Sequence, residues 1–464
     1  MRTSRLKIAC KILAVLVVAA LANAAITYAL EPYGSKSRVM WEDYAATVEQ
    51  GVDVDTVFVG TSFVSCGIDP AVFDTEAGTV SFNMGSLSQT LDESLIAIET
   101  ACEDFEVRRI VLGLSSDELR RSEPTNPASP FLRERARAVG WPNAMAAIAS
   151  QLFQPATLAS TKSLNCLFPW VENHVEPNAS SIMENLRMRL SNMPVREAAS
   201  IQDDNWDYVG RGYGTYDLFY DPDENPEFYF TNEFIEAGDS ALDADRERTL
   251  REICAFCQDN DIELIVITLP MTANNIEYYG DDYFTLHDQI AGLLGEFDVS
   301  YYDFNLAKPN LFDPKLEYFA NNTHLNVEGS AVFSAALGAF LADPTEPDDP
   351  ALFYTEQEYW DSLEGVSAVI MYPETVDTGV HVDIEATSAP KDADRIEFRM
   401  LLRGDDGTWQ CVRDWSQETS YLYERSETGV FDIRVEARVI GSDYAQHDDD
   451  FERYHELTLY YRAP

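Results

Sequence analysis

The fold of this chain is indicated most clearly by the stretch VDTVFVGTSFVSCGIDP, residues 54–70, in which an apolar run leads directly into Gly60, Thr61 and Ser62. A short apolar run without polar alternation is typical of a strand that is covered on both faces. In sheets of such strands, active sites lie beyond the carboxyl ends of the strands. Ser62 is therefore a candidate nucleophile. The alternative is that Gly-Thr-Ser forms only a turn with a helix cap.

The same strand-like pattern recurs and alternates with helical segments. Apolar runs predict strands at residues 54–59, 80–84, 109–114, 262–269 and 299–304. Helical periodicity covers residues 89–105, 243–258, 284–294 and 328–341. Strands that alternate with helices predict an α/β domain, a three-layer sandwich with a mostly parallel sheet. We assign this domain to residues 40–341.

Three other segments break the pattern. Residues 122–230 are rich in proline and contain the glycine-rich YVGRGYGTYD, and we predict an insertion that covers the active edge of the sheet. The acidic, proline-containing ADPTEPDDPAL, residues 342–352, predicts an exposed linker at 342–362. Residues 363–464 contain seven short strand-like stretches, which predict an immunoglobulin-like β-sandwich. Their tyrosine and tryptophan spacing resembles the triple-tyrosine type of surface module.

The charge balance excludes one class of partner. The chain has 80 Asp and Glu against 33 Lys and Arg, a formal net charge of -47. Its basic residues are scattered singly among acidic ones, so they form no stripe that could bind a nucleic acid. We therefore expect no nucleic-acid partner.

The N-terminus predicts a location outside the cytoplasm. Basic residues at positions 2, 5, 7 and 11 precede an uncharged run at 12–30, which is about long enough to cross a membrane. By the positive-inside rule, the chain beyond it is extracytoplasmic, and residues 1–31 form a transmembrane helix of a single-pass membrane protein. The alternative is a cleavable signal peptide, because Ala22-Asn23-Ala24 has the small-x-small form of a cleavage site.

Cysteine and histidine spacing indicates neither a metal site nor a cofactor. The six cysteines beyond the first helix could pair in an oxidising compartment. Cys254 and Cys257, however, share an apolar helical stripe with Leu250 and Ile253, and this favours packing as small apolar groups. No histidine or second CxxC lies near them in sequence, so we expect no metal ligands there.

Two later motifs complete the candidate site. FNMGSLSQTLDESL places Gly85 at the end of the second strand, and NNTHLNVEGSAVF places His324 just before the last helix of the α/β domain. With Ser62 these motifs resemble the SGNH/GDSL hydrolase-like superfamily over roughly residues 47–341. The HLN-x-x-G segment and the N-terminal helix are similar to its membrane-anchored branch, which includes the teichoic-acid D-alanyl transfer protein and the alginate O-acetyltransferases.

The resemblance implies roles for individual residues. Ser62 matches the nucleophile, His324 the base, and the N–H groups of Ser62 and Gly85 the oxyanion donors. The chain departs from the family at Asn321, which stands at the aspartate position. It also departs in VLGLSSDEL, where Ser115, Ser116 or Asp117 would have to replace an asparagine.

The implied function is a serine esterase or O-acyltransferase that acts on cell-envelope glycans or acylated polymers through a Ser–His dyad. A membrane protein that donates the acyl group is an implied partner. The sequence does not choose between water and a sugar hydroxyl as acceptor. The alternative is a non-catalytic surface-binding protein, because an amide at position 321 cannot stabilise an imidazolium as a carboxylate does.

Overall fold

The computed structural model describes residues 2–120, 124–221, 223, 241–347, 349–363, 365–389, 396–403, 407–446 and 450–463. Part of the predicted insertion, 122–230, therefore lies outside the described residues. The first helix, α1 (Arg2–Leu30), contains a 21-residue span, Cys10–Leu30, that is long and apolar enough to cross a membrane.

Three groups of helices and strands follow α1 along the chain. The first group is α2 (Lys36–Glu49), β1 (Thr56–Gly60), α3 (Ser62–Gly67), α4 (Pro70–Ala77), β2 (Ser81–Asn83), α5 (Leu91–Asp104), β3 (Arg109–Leu114) and α6 (Ser116–Leu119). The insertion contains α7 (Pro130–Val139), α8 (Trp141–Leu152), α9 (Pro155–Ala159), α10 (Ala179–Leu190), α11 (Val195–Gln202), β4 (Trp206–Gly210) and β5 (Tyr213–Tyr216). The last group is α12 (Ala244–Asp259), β6 (Glu263–Thr268), α13 (Ala273–Tyr279), α14 (Asp281–Gly295), β7 (Ser300–Asp303), α15 (Val327–Ala342) and α16 (Glu356–Ser362).

The centre of this part is a five-stranded parallel sheet with strand order β2-β1-β3-β6-β7. Alternate residues of each strand enter two separate apolar cores: Val57 and Val59 face one core, and Phe58 faces the other. Helices cover both faces, so the prediction of an α/β fold with a parallel sheet is confirmed. In this strand order, β2 lies on one side of β1, whereas β3 and the later strands lie on the other side. Ligands of α/β sheets bind in the crevice where the strand order reverses in this way, here between β1 and β3.

Two glycines shape the sheet at that point. Gly60 and Gly113 are partners on adjacent strands, and Gly60 has φ of 146°. A Cβ on Gly113 would lie 2.3 Å from the Cγ2 atom of Val64, and a Cβ on Gly60 would lie 2.6 Å from the same atom. The paired glycines therefore let α3 sit directly against the sheet, and this contact positions Ser62.

The C-terminal part is all-β. Its strands are β8 (Gly365–Val376), β9 (Gly379–Ala389), β10 (Ile396–Arg403), β11 (Trp409–Ser416), β12 (Ser420–Glu424), β13 (Gly429–Val439) and β14 (Arg453–Tyr461). They form two antiparallel sheets, with orders β11-β10-β13-β14 and β12-β9-β8. Side chains of both sheets share one core, so the predicted all-β part is confirmed, and its immunoglobulin-like topology stays a prediction.

The segment between the two parts differs from the expected exposed linker. Phe353 is buried in the core of the α/β sheet, where it packs against Tyr302 and Phe304. The backbone N–H of Lys308 donates to Leu352 O at 2.7 Å, and that of Tyr354 donates to Leu306 O at 2.8 Å. The composition of residues 342–352 is acidic and contains proline, so it predicts an exposed linker. A few apolar side chains, Phe353 above all, nevertheless hold the segment against the α/β domain.

We expect Phe353→Ala to destabilise the α/β domain by about 3–5 kcal/mol, because it leaves a cavity among packed aromatic rings. The measurement is the urea midpoint of the full chain, followed by intrinsic fluorescence. Tyr354→Ala, at the neighbouring half-buried position, is the matched control. Equal midpoints for the two variants would contradict the docked arrangement.

All seven cysteines are unpaired, and Cys254 and Cys257 are buried on one face of α12. Burial raises the pKa of Cys254 to about 11 and that of Cys257 to about 12. Both thiols are therefore protonated at neutral pH and pack as small apolar groups.

Candidate active site

Ser62 is the first residue of α3, immediately beyond the carboxyl end of β1. Thr61 occupies the N-cap position without capping the helix through its side chain. The Gly-Thr-Ser sequence therefore does start a helix, but neither hydroxyl acts as the cap. The Ser62 side chain is left free to point away from the helix end, into a cleft above the sheet.

The Ser62 hydroxyl lies next to the imidazole of His324. Ser62 Oγ and His324 Nε2 are 2.8 Å apart, although the residues are 262 positions apart in the chain. This separation is within the range expected for a nucleophile and its general base. The structure therefore brings together the two residues that the sequence motifs singled out.

Asn321 fixes the orientation and tautomer of the imidazole. Its Oδ1 accepts hydrogen bonds from the backbone N–H of Thr323 at 3.0 Å and of His324 at 2.9 Å. Because backbone N–H groups only donate, the atom that faces them must be the amide oxygen. His324 Nδ1 lies 3.1 Å from the same oxygen, so it carries the proton. Nε2 is then the acceptor and faces the hydroxyl of Ser62.

Burial keeps the imidazole neutral. Desolvation and, secondarily, the charge of Lys36 lower the pKa of His324 to about 4. Phe63 stacks on the ring with centroids 5.0 Å apart, and Tyr216 contacts it edge-on at 6.3 Å. A neutral imidazole at pH 7 can accept a proton from Ser62, but the same surroundings oppose the imidazolium that forms.

Lys36 links the site to the insertion. Its Nζ lies 2.7 Å from Asp203 Oδ2 and donates to the hydroxyl of Tyr216 at 2.7 Å. The same ammonium stands over the rings of Trp206 and Tyr216, at 4.8 and 4.5 Å from their centroids. These contacts connect α2 to the hairpin β4-β5 and hold the Tyr216 ring against His324.

The oxyanion donors differ in availability. The N–H of Gly85 donates to Asn83 Oδ1 at 2.9 Å, so its predicted oxyanion role would require this bond to break. The N–H groups of Ser62 and Phe63 begin α3, and within the described residues neither takes part in a hydrogen bond. The first N–H groups of a helix have no intrahelical partner and favour negative charge. They could receive an oxyanion directly beside Ser62 Oγ.

The dyad opens into a cleft of about 1170 Å³. Its wall also carries Ser115, Glu93 and Glu118. Burial raises the pKa of Glu93 to about 7 and that of Glu118 to about 8, so near neutral pH Glu118 is mostly protonated and Glu93 about half protonated. Ser115 is the one proposed asparagine substitute that can be placed in the cleft. The side chains of the other two, Ser116 and Asp117, lie outside the described part of the structure.

Sequence reasoning missed several residues of the site. Thr323 Oγ1 lies 2.9 Å from His324 Nδ1, and its place beside His324 in the motif was an available signal. Phe63 likewise adjoins Ser62. Lys36 and Tyr216 are far from either motif, and nothing in the sequence pattern points to them.

In the part of the chain that the structure describes, no group of His, Cys, Asp and Glu side chains is arranged to hold a metal ion. The site consists of a hydroxyl, an imidazole, an amide and free backbone N–H groups. Acyl transfer through a serine uses groups of these types.

Comparison with known proteins adds little. The chain matches no protein-family model and no curated protein. It is similar to a crystal structure from Bacteroides fragilis described as a "putative acylhydrolase", with 10% identity and a TM-score of 0.30, over 64% of this chain and 92% of the other. A similarity of this size does not establish an activity, so the function is inferred from the site itself.

Proposed function

We propose that this chain is an SGNH-like serine esterase or O-acyltransferase. The observation that carries the proposal is the 2.8 Å contact between Ser62 Oγ and His324 Nε2, with the other imidazole nitrogen held by Asn321. An isolated serine at a strand end is common, but a serine facing an oriented, neutral imidazole is an arrangement that suits a nucleophile.

The reaction would proceed in two halves. Ser62 Oγ attacks the carbonyl carbon of an ester while its proton passes to His324 Nε2, and the oxyanion is held by the N–H groups at the start of α3. The C–O bond to the alcohol breaks, and the alcohol leaves with the proton from His324. An acyl-serine remains. Water or a sugar hydroxyl then attacks it, and His324 again takes and returns one proton.

A hydroxyl-rich substrate such as a cell-envelope glycan or acylated polymer suits the cleft. Its volume exceeds that of most small-molecule pockets, which hold about 300–1,000 Å³. Glu118 in protonated form offers an O–H donor as well as an acceptor. Asn322, two residues before His324, adds an amide to the lining of the cleft. Such a wall can pair with sugar hydroxyls without requiring a charge on the substrate.

The proposed location is the outer face of a membrane, with α1 as an uncleaved anchor. Contacts between Asn23 of α1 and the insertion support retention of the helix, since cleavage after Ala24 would remove them. Asn23 Nδ2 donates to Leu167 O at 2.6 Å, and Trp170 Nε1 donates to Asn23 Oδ1 at 2.8 Å. A membrane partner could then deliver the acyl group.

The pH dependence of ester hydrolysis tests the proposal. We expect the full-length protein to hydrolyse 4-nitrophenyl acetate, with kcat/KM constant above its acid limb and falling near pH 4, the pKa of His324. The value of kcat/KM falls as the pH is lowered because His324 acts as a base only when it is unprotonated. An ordinary histidine base would place this limb near pH 6.5. No turnover at any pH would instead favour the alternative of a non-catalytic surface-binding protein. The amide at position 321, in place of a carboxylate, is the feature that supports this alternative.

A further inference from the structure

One segment of the insertion has almost no charge. Between residues 141 and 171, which we call the uncharged segment, Lys162 is the only charged side chain, whereas 24% of the whole chain is charged. In a protein of net charge -47 such a gap is a marked departure from the rest of the surface. It extends over α8, α9 and the 3-10 turns Thr161–Cys166 and Pro169–Val171.

The uncharged segment also exposes large apolar side chains. Leu167 is 62% exposed and Phe153 is 68% exposed. From residue 153 onward its exposed large apolar residues are Phe153, Leu158, Leu164, Leu167, Phe168 and Val171. Single exposed apolar residues are ordinary, but a concentration of them in an uncharged stretch marks a surface that meets another apolar phase.

The segment is hydrogen-bonded to the membrane-spanning helix. Asn23 Nδ2 donates to Leu167 O at 2.6 Å, and Trp170 Nε1 donates to Asn23 Oδ1 at 2.8 Å. Asn23 is the one polar amide within the apolar run at 12–30. An amide in a lipid environment requires partners, and these two bonds satisfy both ends of it.

The position of Asn23 sets the depth of its partners. Seven residues separate Asn23 from Leu30, which corresponds to about 10 Å along a helix. The 21-residue span Cys10–Leu30 is needed to cross a hydrocarbon core of about 30 Å. If the outer boundary were at Asn23, the apolar part would shrink to residues 12–22, and this is too short to cross. Leu167 and Trp170 therefore lie below the outer boundary of the bilayer.

We propose that residues 164–171 enter the outer leaflet beside α1, with bilayer lipid as the occupant of their exposed apolar face. Lys162 and Glu172 flank this stretch, pair at 2.9 Å and remain at the level of the headgroups. Both also line the cleft that contains Ser62. The cleft consequently opens at the membrane surface, where a lipid-linked or membrane-delivered substrate would arrive.

Site-specific photocrosslinking in the full-length protein tests this placement. A diazirine amino acid replaces Leu167, Val17 or Val430 in separate samples, each reconstituted in phosphatidylcholine nanodiscs, and lipid adducts are quantified by mass spectrometry. Val17 lies in α1 and is 49% exposed, whereas Val430 lies on the β-sandwich and is 65% exposed. We expect adducts at position 167 to match those at 17 and to exceed those at 430 several-fold.

Two results would overturn the placement. Adducts at 167 no more abundant than at 430, with strong adducts at 17, would show that the stretch stays in water. Weak adducts at 17 would show that α1 itself is not in the bilayer. Neither result bears on ester hydrolysis by Ser62, which the pH profile measures separately.

Discussion

Replacement of Ser62 or of His324 by alanine is expected to lower kcat for a small acetyl ester by roughly 10³-fold or more. Ser62→Ala removes the atom that becomes acylated. His324→Ala removes the imidazole nitrogen that now lies 2.8 Å from Ser62 Oγ. The Ser62 hydroxyl then has no acceptor for its proton and keeps its ordinary, high pKa. Because the two residues act as one unit, the double variant should be no slower than either single variant.

Matched controls are available for both changes. Ser65 lies on the same helix and donates to Ser62 O at 3.2 Å, and His381 lies on the β-sandwich, 2.8 Å from Ser420. Ser65→Ala and His381→Ala should keep the activity of the unmodified protein. Initial rates with 4-nitrophenyl acetate are the measurement, with thermal melts to confirm folding. Losses that multiplied in the double variant would show that the two residues do not share one step.

Asn321→Asp is expected to raise turnover at pH 7 by about tenfold or more, because a carboxylate stabilises the imidazolium that the present amide does not. The substitution keeps the acceptor for the backbone N–H groups of Thr323 and His324, so the loop should retain its turn. The same charge raises the pKa of His324. The acid limb of kcat/KM should therefore move upward from about pH 4, by roughly 1–3 pH units.

Asn321→Ala is the complementary variant. It removes the oxygen that holds Nδ1 at 3.1 Å, so turnover should fall without an upward shift of the acid limb. Measurement of both variants over the same pH range separates orientation of the ring from stabilisation of its charge. If Asn321→Asp changed neither the rate nor the limb, His324 would not be the base.

The sheet and the dyad could be predicted because both leave local patterns. Apolar runs predicted β3 at residues 109–114, where it is found, and the other four parallel strands to within two residues at each end. Ser62 lies in a short motif directly after a strand, and His324 lies in a short motif directly before a helix. The loop contact of Asn321 with His324 follows from their spacing of three residues.

The rest of the site could not be predicted because it depends on contacts that are distant in sequence. Lys36 reaches Asp203 and Tyr216, which lie far along an insertion without a regular strand and helix pattern. The engagement of the Gly85 N–H by Asn83 is set by a side-chain rotamer, and Phe353 docks through its single apolar ring. Periodicity carries no information about such pairings.

Covalent labelling tests the central claim, that Ser62 is an activated nucleophile, most directly. The full-length protein is treated with a fluorophosphonate at pH 7, digested, and searched for the phosphonylated peptide that contains residue 62. We predict a single adduct on Ser62, which disappears in Ser62→Ala and is strongly reduced in His324→Ala. An unlabelled wild-type protein that is folded by its thermal melt, or equal labelling in Ser62→Ala, would contradict the assignment.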